Sequence, residues 1–205
     1  MKRAGTIISW LLICVVLLSI AGCMSSPIKR YFQLRIPGAR METIEPVAKT
    51  VMIKRIQVAK VYDQYRMVYR TSPFELNYYS YNFWIKKPGE LLEDAIDEFL
   101  VRNNIFNAVI HEYAQGEPDW ELLVWLSRLE DEDLGRRRFG HLAMKFEIRD
   151  YKTDQLLISY EFDRRTPLKE NKIHSVPVEI SRLLEEELMK LVEKIHNRDN
   201  SSASQ

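Results

Sequence analysis

The chain has 205 residues and 30 Lys and Arg against 29 Asp and Glu, a formal net charge of +1. That balance argues against nucleic acid as a partner and against a strong overall draw to anionic lipid. The length suits one ordinary domain with a real core.

In chain order, Lys2 and Arg3 supply a positive start, and residues 5–22 then carry no charge and are mostly Ile, Leu and Val. The run closes on Ile20-Ala21-Gly22-Cys23. Small residues before the cysteine suit the narrow cleft of a signal peptidase, and the Cys23 thiol is the nucleophile that would take up a lipid. The arrangement resembles the lipobox of bacterial lipoproteins. The apolar run is also long enough to be an uncleaved transmembrane helix, but its charged start and small-residue end favour a cleaved signal peptide. Either way, the rest of the chain is expected outside the cytoplasm. Removing residues 1–22 leaves 183 residues with 28 basic against 29 acidic side chains, a balance of −1. Cys14 leaves with the leader and Cys23 is consumed by lipid, so the folded body is expected to hold together without a disulfide.

Residues 23–30 read as a lipidated tether. Tyr31 to Ile36 alternates before the turn signal Pro37-Gly38 and predicts a strand. Residues 39–50 read as loop, and Val51 to Val58 as a second strand. An aromatic-dense stretch runs from Tyr62 to Trp84, with strands predicted over Arg66–Arg70 and Phe74–Phe83. Pro88 opens a helix whose apolar stripe is Leu92, Ala95, Ile96, Phe99 and Leu100, stopped by Asn103-Asn104. Phe106–Ile110 is a short strand and Trp120–Leu129 a central one. His141–Arg149 and Gln155–Asp163 alternate and form an antiparallel hairpin over a short link. Residues 164–174 read as polar loop. A long helix begins near Ser175–Pro177, with Ile180, Leu183, Leu184, Leu188, Leu191 and Ile195 on one face. Asp199 to Gln205 reads as a polar, disordered tail. The sum is six or seven strands and two principal helices: one α/β layered domain over residues 31–197 with a mixed sheet, followed by a tail over 198–205.

Catalytic constellations are scarce. His111, His141, His174 and His196 lack any i, i+4 pairing, there is no Gly-x-Ser-x-Gly elbow and no glycine-rich phosphate loop, so neither a metal, a cofactor nor an enzyme is expected. Glu130-Asp131-Glu132-Asp133 lacks calcium-loop spacing and, followed by Arg136-Arg137-Arg138, reads as a solvated hairpin tip. The aromatic stretch is the one region with a binding character. Core and half-buried sheet packing is the favoured account, because aromatics are ordinary strand residues. An exposed patch for a protein or lipid partner is the sharper alternative, with Tyr78, Tyr79, Tyr81 and Trp84 as candidates.

After the lipobox, Tyr31-Phe32-Gln33-Leu34 resembles the opening Tyr-Tyr-x-Leu of the ABC-type transport auxiliary lipoprotein component family. Ile53–Val58 followed by Tyr65-Arg66-Met67-Val68-Tyr69-Arg70, and Phe74-Glu75-Leu76 leading to Tyr81 and Trp84, are similar to later blocks of that family. Val58-Ala59 stands where the family has Leu-Pro, and Trp84-Ile85-Lys86-Lys87-Pro88 shifts its proline and replaces an acid with a base. The resemblance implies an α/β fold and a non-enzymatic, periplasm-facing part of an ABC system. The implied partner is a mammalian-cell-entry-type protein, and the implied cargo is phospholipid or another hydrophobic substrate. Met24 after Cys23 fits outer-membrane sorting as enteric bacteria practise it, inner-membrane anchoring being the other option. A homo-oligomeric ring is compatible with such a role. The alternative is an outer-membrane assembly factor or a secretion pilotin.

Overall fold

The structure, a computed structural model, describes residues 27–38, 45–135 and 137–203. The signal peptide and Cys23 lie outside the described residues. The elements in chain order are β1 (Arg30–Phe32), β2 (Val47–Ile53), β3 (Gln57–Val58), β4 (Arg66–Ser72), β5 (Glu75–Trp84), α1 (Pro88–Arg102), β6 (Phe106–Ile110), a 3₁₀ turn at Tyr113–Gln115, β7 (Trp120–Asp133), β8 (Arg138–Asp150), β9 (Leu156–Pro167) and α2 (Ser175–Ala203).

The long strand β7 organises the sheet. One edge pairs antiparallel with β8 along its whole length, from Trp120↔Asp150 to Asp133↔Arg138. The turn between them carries Gly135 at φ 79°, a left-handed conformation that glycine adopts without steric cost. β8 pairs antiparallel with β9 across a turn in which Asp150 Oδ1 accepts the backbone N–H groups of Lys152 and Thr153. The other edge of β7 is shared by three parallel strands in succession: β2 at Trp120–Leu122, β3 at Trp125–Leu126 and β4 at Glu130–Glu132. β6 lies parallel outside β2, β5 antiparallel outside β4, and β1 parallel against the last residues of β5.

Both helices cover this sheet with their apolar stripes. Pro88 starts α1, which buries Leu91, Leu92, Ala95, Ile96, Phe99 and Leu100 and stops where Asn104 turns left-handed at φ 54°. Ile180, Leu183, Leu184, Leu188, Leu191, Val192 and Ile195 of α2 are buried against β8, β9 and β2. The result is one α/β domain with a mixed, curled sheet and two principal helices, the architecture expected from the sequence.

Several boundaries differ for physical reasons. There are nine described strands rather than six or seven, partly because Val51–Val58 is broken at Lys54–Ile56. Between Ile53↔Leu122 and Gln57↔Trp125 the chain takes four steps where β7 takes three, so the backbone jogs and rejoins β7 as β3. The strand expected over Tyr31–Ile36 keeps sheet pairing only at its start. Leu34 and Ile36 still enter the core, but the N–H of Arg35 is taken by Ser181 Oγ of α2 at 3.0 Å. Within the expected loops, β2 begins at Val47, and β9 runs on to Pro167 because Thr166 pairs with Gly140. The last helix continues through Ala203 instead of yielding to a tail near residue 198, since no Gly or Pro interrupts it.

Gly140 marks the tightest helix–sheet approach. A Cβ there would lie 2.8 Å from Ile180 Cγ1. Gly140→Ala should therefore push α2 off β8 at a cost of about 1–3 kcal/mol, read as a lowered unfolding midpoint. Ile180→Ala, which removes the clashing Cγ1, should cost less in the Gly140→Ala background than in the parent.

Candidate functional site

The C-terminal end of β7 holds the densest polar chemistry of the fold. Glu130, Asp131 and Glu132 are consecutive in a strand and so alternate between faces, yet they are only 1%, 0% and 5% exposed. Buried carboxylates persist only with partners, and each has them. The Tyr62 hydroxyl donates to Glu130 Oε2 at 2.7 Å, and Arg70 donates to both carboxylate oxygens at 2.9 and 3.2 Å. His141 Nδ1 stands 3.5 Å from Glu130 Oε1, an ion-pair distance, while its Nε2 reaches Asp163 Oδ1 at 2.6 Å. Glu132 pairs with Arg165 at 2.7 Å. Asp131 accepts from the Tyr79 hydroxyl and from Arg138, and Arg138 also donates to the Tyr79 oxygen at 3.0 Å.

These neighbours set the protonation states. Burial pushes the Glu130 carboxyl up, but His141, Arg70 and Tyr62 outweigh it and hold it at about 2. Burial, reinforced by Glu130, pushes the Tyr62 phenol well above its ordinary range; burial and Asp131 do the same to Tyr79. For His141 burial acts downward, and Glu130 and Asp163 more than offset it, so its imidazolium is favoured. A carboxylate held near 2, hydrogen-bonded by Tyr62 and Arg70 and faced by His141, is a poor proton acceptor at neutral pH. The arrangement clamps β4, β5, β7, β8 and β9 together.

This corrects the reading of Glu130–Asp133 as a solvated hairpin tip: the turn falls beyond them, and the first three acids are buried in strand. The signal that could have found them is the set of arginines on three other strands, Arg70, Arg138 and Arg165, but only pairing brings those into range. His141, expected on a polar strand face, is buried at the hub. Because its folded pKa is raised above the ordinary 6.5, its contribution to stability is complete below that pH and is lost as pH rises through the folded value. Thermal unfolding against pH should show this alkaline loss in the parent protein and not in His141→Gln.

The aromatic candidates do not form one surface. Trp84 is 2% exposed and belongs to the core, because its face of β5 turns inward with Phe32. Tyr79 is committed to Asp131. Tyr78 is half-buried under the Arg66 guanidinium, 4.9 Å from its ring. Only Tyr81 is exposed, at 45%. The β4–β5 register slips between Val68↔Tyr78 and Arg66↔Phe83, a bulge that separates Tyr79, turned in, from Tyr81, turned out. The outward face at this end is built instead on Tyr31, stacked on Phe83 with ring centroids 5.6 Å apart, with the Lys29 ammonium 5.8 Å from the Phe83 ring. Cys23, the expected lipidation site, lies outside the described residues.

A cleft of about 570 Å³ opens between residues 33–38 and the facing ends of α1 and α2, with Arg35, Arg102, Glu98 and Ser181 on its walls. Arg102 Nη1 donates to the Ile36 carbonyl at 3.2 Å. Among the described residues, no three His, Cys, Asp or Glu side chains converge to hold a metal ion, and no helix is long and apolar enough to cross a membrane.

The fold has solved counterparts. Protein XCC0632 from Xanthomonas campestris, of family DUF330, superposes with a TM-score of 0.72 at 16% identity, covering 86% of this chain and 99% of its own. An uncharacterized protein superposes at 0.63 with 14% identity, covering 82% and 99%. At these identities the likeness is one of fold. No curated protein matches the sequence. The profile of the ABC-type transport auxiliary lipoprotein component family matches residues 32–188, most of the described domain. The chain belongs to the ABC-type transport auxiliary lipoprotein component family.

Proposed function

We propose that the mature chain begins at Cys23, is lipidated there, and serves in the periplasm as a non-enzymatic accessory of an ABC-type transport system of the mammalian-cell-entry kind. That system moves phospholipid or other hydrophobic molecules between the inner and outer membranes. The observation that carries this reading is the family match, which begins at Phe32, nine positions after Cys23, and runs through β2–β9 and α1 into the first half of α2. The closed ion-pair network supports a scaffolding role over a chemical one. Met24 supports the outer membrane as the anchoring site. A single acyl chain binds a bilayer only marginally, but each buried CH₂ adds about 0.8 kcal/mol, so the full set including an N-linked palmitate holds firmly.

The test is Cys23→Ser in the native host. The variant should lose the acyl mass at the N-terminus, fail to mature at residue 23 and lose its sedimentation with outer-membrane lipid. In vivo crosslinking of the parent should recover a mammalian-cell-entry-type protein. Unchanged processing and membrane retention in Cys23→Ser would overturn the anchoring. Recovery of a barrel-assembly protein or a secretin instead would overturn the transport assignment.

A further inference from the structure

The side-by-side strands β1 and β5 give the domain a distinct outer face. Paired residues of neighbouring strands project to the same side, so Tyr31 and Phe83 look outward together while Phe32 and Trp84 look inward. Lys29, two residues before Tyr31, reaches the same Phe83 ring. Tyr81 and Ile85, two residues either side of Phe83, are exposed, and Tyr31 is 62% exposed. Two exposed tyrosines, an exposed isoleucine and a lysine thus surround the half-buried Phe83 ring on a single face. Arg66, paired with Phe83 across β4 and β5, lies on the same side and lays its guanidinium over the Tyr78 ring.

Geometry supplies the occupant. From Cys23 to Lys29 the chain makes six steps, which span at most about 20 Å when fully extended. If Cys23 carries the lipid, Lys29 on this face lies within that distance of the anchor. This is also the face from which the tether leaves the fold. Its composition matches the headgroup layer: tyrosines join apolar area to a polar tip, and lysine and arginine lay their stems along apolar surface while the charge meets phosphate.

We propose that the Lys29–Tyr31–Tyr81–Phe83–Ile85 face rests on the headgroup layer of the anchoring membrane and fixes the orientation of the domain above it. This rests on the lipidation of Cys23 proposed above. It leaves the opposite sheet edge, β9, and the surface of α2 directed away from the lipid.

The experiment uses the full mature lipoprotein in vesicles of phosphatidylethanolamine and phosphatidylglycerol, with or without lipids brominated high on the acyl chain. Tyr31→Trp and, separately, Tyr81→Trp report from the face; Leu156→Trp reports from β9 at the far edge. Emission is compared with the parent, whose own indoles set the background. The expected result is bromine-dependent loss of the added emission for Tyr31→Trp and Tyr81→Trp and none for Leu156→Trp. Equal quenching at all three sites, or at none, in protein whose acyl mass is confirmed would overturn the orientation while leaving the anchor intact. Efficient crosslinking of the unquenched face to a protein would assign it to a partner instead of lipid. An unmodified Cys23 in the same mass spectrum would overturn the anchor, and this inference with it.

Discussion

Glu130→Gln should destabilise the fold by about 3–5 kcal/mol, the usual cost of removing one partner from a buried charge pair. The substitution keeps the shape of the side chain and deletes its charge, so Arg70 and His141 lose their shared counterion while remaining packed against it. For a domain of this size the midpoint should fall by about 10 °C. The double variant Glu130→Gln with Arg70→Met should cost less than the sum of the single changes, because neither charge is then orphaned. The pH dependence has a fixed sign. The folded pKa of Glu130, about 2, lies below its ordinary 4.5. Its stabilisation is therefore present above 4.5 and fades as pH falls through 2, so parent and variant should converge in acid. An unchanged midpoint at neutral pH would show that these carboxylates are solvated.

Trp84→Ala should be as damaging, at about 3–5 kcal/mol, for a different reason: it empties a large volume in a close-packed core. Trp84 is among the largest fully buried side chains and packs in the main cluster with α1 and β7 residues. The experiment also decides between its two possible roles. A core residue lowers the unfolding midpoint and leaves any surviving folded fraction competent to bind; a docking residue would lose partner capture at unchanged stability. Tyr81→Ala should behave in the opposite way to Trp84→Ala, with little effect on the midpoint, since surface changes stay within about 0.5 kcal/mol.

Much of the fold was legible in local pattern. Both helices announced themselves by apolar stripes and a proline start, and β8 and β9 by alternation, because those signals depend on a residue and its near neighbours alone. The ends of strands were less legible. Whether Leu34 and Ile36 lie in a strand depends on what accepts their backbone, and the N–H between them, on Arg35, went to a serine of α2, distant in sequence. The candidate site was the least legible part. A run of four acids followed by arginines looks like a wet turn unless one knows that β4, β8 and β9 bring Arg70, Arg138 and Arg165 to both faces of β7. The same holds for Trp84: an aromatic at the end of an aromatic stretch faces in or out according to a bulge that composition does not encode.

The shared edge of β7 has a consequence for biogenesis. Of the strands before it, β3 has no partner until residues 120–133 arrive and β2 has only the sequence-distant β6, while the β4–β5 hairpin can close early but joins the rest of the sheet only through β7. By contrast, β7, β8 and β9 form a local meander that can close as soon as it is made. A polypeptide emerging amino end first therefore presents its least self-sufficient half to the surroundings for longest, with unpaired strand edges open to misassembly. Its dependence on periplasmic holding chaperones should be set by the time needed to deliver the second half.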